Sequence, residues 1–296
     1  MNTTLRSNDG AHLARNILGL FKLRIGVVIM VTAVAGFVVT PGAGPGGIQL
    51  AVLALAVLIS SASAGAFNQY VEFDTDRLML RTRGRAFVTG ELRHTPAWLA
   101  LIAILLAASV AAARYATNPL AALYVFLGAF FYAVVYTVWL KRRTWLNIVV
   151  GGLAGSFSVL AGAAAANPDL GAVPLLLALV LFLWTPPHFW SLAIANSSDY
   201  AAAGVPMLPV VVGNARAARI VLASTLALVG VSLLPVFFGA GLIYFAGALI
   251  GGAHFVRKAW QLARVPSRET AMRSFHASLL QLSLLLLAAI TDALLV

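Results

Sequence analysis

Charge is absent from this chain over long distances, and that absence limits what it can fold into more than any other feature. From Ile25 to Val71 there is no ionised side chain, and from Ile220 to Val256 there is again none. Charged residues are 10% of the sequence against 61% hydrophobic, whereas a soluble domain carries about 25% charged residues. So little polar surface cannot cover a globule in water, and the chain reads as a polytopic membrane protein. Cysteine is absent, which excludes a disulfide scaffold, a zinc–thiolate site, an iron–sulfur cluster and a thiol nucleophile. The polar opening, with Arg6, Asp9, His12 and Arg15, does not read as a cleavable signal peptide.

A spanning helix needs roughly 20 apolar residues, and the charges and turn residues cut the chain into nine such stretches. Pro41 to Gly47 divides the first long window into two. Residues 94–113, 115–140, 144–168 and 170–198 supply four more. Gly239, Ala240 and Gly241 split the window 220–256, and 274–291 is the ninth. The expected fold class is an all-α polytopic membrane protein of nine transmembrane helices. A cytoplasmic tail is expected over residues 1–21 and one membrane domain over 22–296.

Lys and Arg in short loops set the orientation of such a chain. Alternate loops hold Arg6, Arg15, Lys22 and Arg24, then Arg77 to Arg93, Lys141 to Arg143, Arg216 with Arg219, and Arg257 to Arg273. Of the 20 basic residues only Arg114 falls on the other side. The N-terminus is therefore expected in the cytoplasm of a bacterial-type inner membrane, with Val296 outside. The net charge of +11 is thereby a topology signal, and nucleic acid is not expected as a partner; the lipid bilayer is.

Acidic groups add little to topology, so the run Glu72, Asp74 and Asp76 needs another reason. If the second span continues as a helix, Asn68, Glu72 and Asp76 share one face at i, i+4 and i+8, and Asp74 points elsewhere. Like charges four residues apart repel, so an aligned pair of carboxylates suits a cation such as magnesium shared with a substrate phosphate. The alternative is a solvated helix end neutralised by Arg77 and Arg81, and spacing alone leaves both open. Arg81, Arg83 and Arg85 follow at alternate positions, with the fork geometry that takes phosphate or carboxylate. A second polar island follows the sixth span. There Pro186 and Pro187 are expected to break or kink the helix, His188 sits among aromatics, and Asp199 and Tyr200 lie near the surface. His188 reads equally as a packing residue and as a ligand. The two islands lie four spans apart, which hints at a duplicated four-helix unit with both acidic motifs facing one cavity.

Asn68, Glu72, Asp76, Met79, Arg81, Thr82 and Arg85 resemble the first acidic motif of UbiA-type intramembrane prenyltransferases. The segment Tyr136 to Ile148, the string Trp184-Thr185-Pro186-Pro187-His188-Phe189-Trp190 and the stretch Gly204 to Pro209 are similar, more narrowly, to the protoheme IX farnesyltransferase (heme o synthase) family. The resemblance runs from about Lys22 to the last helix. It implies transfer of farnesyl from farnesyl diphosphate to a vinyl group of heme b, with addition of water. It further implies that Asn68, Glu72, Asp76 and Asp199 hold Mg2+ on the diphosphate, with Arg81 and Arg85 in the catalytic set. Arg83, Tyr136, Lys141, Arg142 and Tyr200 would contact substrate, and His188 would face the porphyrin. Heme a synthase or terminal-oxidase assembly factors would be downstream partners.

Besides a mild change at Glu72, the chain departs from the family pattern in three places. No proline follows Arg85, Ser156 to Ala163 lacks the usual prolines and tryptophan, and Asn196 and Ser198 stand where charged residues are common. Those departures keep two other readings in play, another acceptor and a non-catalytic heme-binding or delivery paralogue, and the duplicated polar islands leave a third, a secondary transporter.

Overall fold

The computed structural model describes residues 13–42 and 44–295. The expectations attached to Arg6, Asp9, His12, Ala43 and Val296 lie outside the described residues. Every regular element among those described is helical. In chain order they are α1 (Leu13–Leu20), α2 (Leu23–Val38), α3 (Gly47–Val71), and two short helices, α4 (Phe73–Arg77) and α5 (Ala86–Thr89). Next come α6 (Ala97–Ala116) and α7 (Pro119–Phe130), the latter running into a π-helix over Phe131–Leu140. Then follow α8 (Asn147–Gly151), α9 (Leu153–Ala166), α10 (Ala172–Ala195), α11 (Ser197–Ala202) and α12 (Leu208–Val212). The chain finishes with α13 (Asn214–Ser232), a 3-10 turn (Leu234–Phe238), α14 (Leu242–Arg264) and α15 (Arg268–Leu295).

Seven of these segments are long and apolar enough to cross a membrane, and an eighth is added if α1 and α2, bent by 43°, count as one span. The expected nine is therefore not reached on length and composition. The segment that falls short is α14, whose last turns carry Arg257, Lys258 and Arg264. Residues 13–20, expected in the tail, are helical.

One expectation is corrected at α10. Pro186 and Pro187 do not break it, and the helix runs unbroken from Ala172 to Ala195 with both prolines inside. The two missing N–H groups leave the carbonyls one turn back without their helical donor, a loss that neighbouring helices and hydroxyl side chains make tolerable inside a bundle. The carbonyls so deprived are those of Phe182 and Leu183; on either side of them Thr185 Oγ1 donates to the Leu181 carbonyl at 3.0 Å and Ser191 Oγ to the Pro187 carbonyl at 2.7 Å.

Lipid gives no hydrophobic drive for helices to meet, so small residues and buried polar pairs decide which ones do. The α2–α9 contact shows both. A Cβ on Gly162 would collide with the Ala33 carbonyl, and one on Gly36 with the Val159 carbonyl, so the backbones touch there. Beside them the hydroxyls of Thr32 and Ser158 lie 2.9 Å apart, and Ser156 Oγ donates to the Ala178 carbonyl of α10 at 2.8 Å. The altered stretch 156–163 thus serves as a packing seam. At the far end of the bundle the buried carboxylate of Asp292 accepts from the backbone N–H groups of Gly241, Ile243 and Tyr244, capping α14 from α15.

Candidate active site at one end of the bundle

The ends of α3, the π-helix and α10 meet at one face, and the polar islands meet with them. Val71 ends α3 and Glu72 forms a break before α4, yet the Glu72 N–H still reaches the Asn68 carbonyl at 3.0 Å and the Asp76 N–H the Glu72 carbonyl at 2.8 Å. The helical spacing therefore survives the break, and Asn68, Glu72 and Asp76 lie buried together while Asp74 is exposed.

Cations surround the two buried acids. Lys141, buried at the first residue past the π-helix, pairs with Glu72. Arg85 pairs with Asp76 and also approaches Glu72 at 3.8 Å. Burial pushes the Glu72 carboxyl up, but the Lys141 ammonium and its hydrogen bond, with Lys22 and Arg85 behind, hold it below the usual carboxylate range. Asp76 goes the other way. Burial lifts it, the Arg85 guanidinium opposes, Glu72 adds to the lift, and the carboxyl ends above its usual range.

The second island reaches this cluster through Arg81. The Arg81 backbone N–H donates to Asp199 Oδ2 at 3.2 Å, and its guanidinium donates to the Tyr200 hydroxyl at 3.3 Å. Arg142 donates to the hydroxyl of Thr75, and Tyr136 stands near the Lys141 ammonium, its ring centroid 5.7 Å away. Asn147 braces the loop that carries Lys141, donating to the Thr144 carbonyl at 2.6 Å and the Lys141 carbonyl at 3.3 Å.

Two expected residues are not drawn in. Arg83 is exposed, and its side chain makes no hydrogen bond or ion pair with the described residues. His188 is buried between Trp184 and Phe275, with ring centroids 4.1 and 4.5 Å away, and its Nδ1 lies 2.6 Å from the Ser278 hydroxyl of α15.

Lys22, Tyr132 and Thr137, not foreseen, complete the cluster. Lys22, the hinge between α1 and α2, takes a left-handed backbone (φ 49°) and donates to Asn68 Oδ1 at 2.6 Å and to the Tyr132 hydroxyl at 3.2 Å. Gln69 holds that hinge by donating to the Gly19 and Leu20 carbonyls, and Gly65 leaves room for the Lys22 stem. The Asn68 amide donates to the Thr137 hydroxyl at 3.1 Å, and that hydroxyl donates to the Tyr132 carbonyl at 2.8 Å. Tyr132 and Thr137 lie on the π-helix, whose hydrogen bonds reach five residues back, as from the Lys141 N–H to the Tyr136 carbonyl at 2.9 Å. That wider turn stacks Tyr132 on Tyr136, with centroids 5.7 Å apart.

No three His, Asp or Glu side chains among the described residues group closely enough to hold a metal by themselves. The donor set nevertheless suits a hard cation that takes the rest of its oxygens from a ligand. Asp76 Oδ1 is buried and has no hydrogen-bond partner, so one carboxylate oxygen is left free beside the oxygen that pairs with Arg85. With Arg81, Arg85 and Lys141 around it, the end of the bundle can take a polyanion together with a divalent cation.

The sequence matches the UbiA prenyltransferase family over residues 29–285. It is 58% identical over 280 residues to protoheme IX farnesyltransferase 2 of Paramagnetospirillum magneticum, covering 94% of this chain and 97% of that protein. It is 43% identical over 248 residues to the protoheme IX farnesyltransferase of Acidiphilium cryptum, covering 83% and 78%. In fold it is similar to a digeranylgeranylglyceryl phosphate synthase at a TM-score of 0.78 and 17% identity, over 96% of this chain and all of that one. It is also similar in fold to a UbiA homologue of Archaeoglobus fulgidus bound to DMAPP and Mg2+, at a TM-score of 0.69 and 17% identity, over 93% of this chain and 99% of that one.

Proposed function

The chain belongs to the UbiA prenyltransferase family, and on that premise we propose that it transfers a farnesyl group from farnesyl diphosphate to a vinyl group of heme b and adds water, giving heme o. The observation that carries this reading is the meeting of Glu72, Asp76 and Asp199 with Arg81, Arg85 and Lys141 at one end of an apolar bundle. The relatives in this family named protoheme IX farnesyltransferase supply the choice of acceptor.

Asn68, Glu72, Asp76 and Asp199 would hold magnesium, and Asp76 Oδ1 is the oxygen already free for it. Bound there, magnesium would neutralise charge on the departing diphosphate. The chain's own cations would do the same: the guanidiniums of Arg81 and Arg85 and the Lys141 ammonium face the oxygens that gain charge as the allylic C–O bond breaks. The Tyr136 and Tyr200 hydroxyls and Arg142 would orient the diphosphate, and Arg83, exposed at the same mouth, would act in its capture. The farnesyl chain would lie among apolar side chains that keep water from the allylic cation until the vinyl electrons attack it. Capture of the resulting porphyrin-side cation by water, with loss of one proton, completes heme o. His188 would face the porphyrin through Nε2, since Ser278 occupies Nδ1.

The mouth would open to the cytoplasm, from which both substrates would enter. Heme a synthase or terminal-oxidase assembly factors would take the product. The test is mass spectrometry of purified protein in lipid, supplied with heme b, farnesyl diphosphate and magnesium, with a chelator control. A magnesium-dependent, hydrated, farnesylated heme is expected. Heme binding without any such product would favour the carrier reading and overturn this one.

A further inference from the structure

His94 lies outside the groups used above, yet it touches both neighbours of the Glu72 break. Its ring is stacked between Tyr70, at a centroid distance of 4.1 Å and 20° between planes, and Phe73, at 4.5 Å and 13°. Tyr70 is the penultimate residue of α3, and Phe73 is the first of α4. The two rings therefore flank the break from either side. His94 Nε2 lies 2.9 Å from the Tyr70 carbonyl. With its proton on Nε2 the ring donates a hydrogen bond to that carbonyl and ties itself to the end of α3.

The clamp is itself held. Phe87 meets the edges of both Tyr70 and His94, at 5.9 and 5.3 Å, and Trp98 meets Phe87 at 5.7 Å. The Trp98 indole donates to the carbonyl of Arg93, the residue before His94, at 3.2 Å. On the other side of the break, the Arg77 guanidinium lies 4.0 Å from the Phe73 ring centroid. These contacts converge on the one turn of backbone that carries Glu72 and sets the direction of Asp76.

We propose that His94 is a positioning residue for the first acidic motif, fixing the turn at Glu72 so that the Glu72 and Asp76 carboxylates face a bound diphosphate and its cation. The role rests on the diphosphate reading of the site. A residue that orients ligands from behind them commonly changes metal affinity by about 10–100-fold when lost.

The test is calorimetry of inorganic pyrophosphate with magnesium on the full chain in lipid, alongside a heme titration. His94→Ala is expected to weaken pyrophosphate binding by roughly tenfold or more, with heme affinity and melting temperature unchanged. His94→Phe, which keeps the stacked ring, should recover much of the loss, and His94→Gln, which keeps only the donor, should recover less. Equal pyrophosphate affinity in the wild type and His94→Ala would overturn the positioning role alone. An equal fall in heme affinity would overturn it too, since that reports general loosening. Failure of the wild type to bind pyrophosphate would remove the diphosphate reading and this role with it.

Discussion

Asp76 has one oxygen on Arg85 and the other without a partner. Its replacement by asparagine keeps the shape, removes the charge and leaves Arg85 facing a neutral amide. The Asp76→Asn protein should therefore lose turnover by about 10²-fold or more, the scale of one lost electrostatic contact to the developing charge. Absorbance titration should find heme affinity nearly intact, and unchanged turnover would sink the metal assignment. The acids were legible in the sequence because a carboxylate in apolar sequence is costly unless it has work or a partner. Lys22 was not legible in the same way. It reads as one more basic residue of a loop, and the left-handed turn that aims it at Asn68 leaves no periodic trace. Tyr132 and Thr137 were hidden differently, because counting in turns of 3.6 residues misplaces side chains on a helix that bonds five residues back.

Among the helices, the α2–α9 seam has the least slack. Gly162 has the Ala33 carbonyl where a side chain would begin, and Gly36 faces Val159 in the same way. Gly162→Leu should separate the two helices, destabilising by about 1–3 kcal/mol from overpacking alone. A lowered thermal midpoint in lipid, with α-helical circular dichroism kept below the transition, would show it; an unchanged midpoint would mean that the seam yields. The sequence offered this segment only as a departure from the family pattern, because which backbones touch is a property of pairs of helices. At α10 it carried the sixth span through Pro186 and Pro187 but expected a break or a kink there, and in the bundle the helix continues through both.

The whole molecule was the most legible scale, since long apolar windows bounded by charge locate helices with little else. It gave way at the ends of spans, where α1, α4, α5, α11 and α12 lie, too short or too polar to show as windows. The basic loops predict the sidedness, and the absence of cysteine in the sequence makes that expectation easy to measure. A membrane-impermeant maleimide added to intact cells should label Tyr115→Cys, 87% exposed in the last turn of α6, and should reach Arg83→Cys only after the membrane is opened. The reverse pattern would invert the topology. The pairing of the acids also has a bearing on how the chain is made. Glu72 and Asp76 find their countercharges in Arg85 and Lys141, all within the first half of the chain, whereas Asp199 joins through Arg81 from 118 residues further on. A ribosome delivers these in order. The charges most dangerous to leave bare at a membrane boundary can thus be neutralised while the later spans are still being synthesised, and the half-built protein can wait in the bilayer for the last carboxylate to arrive.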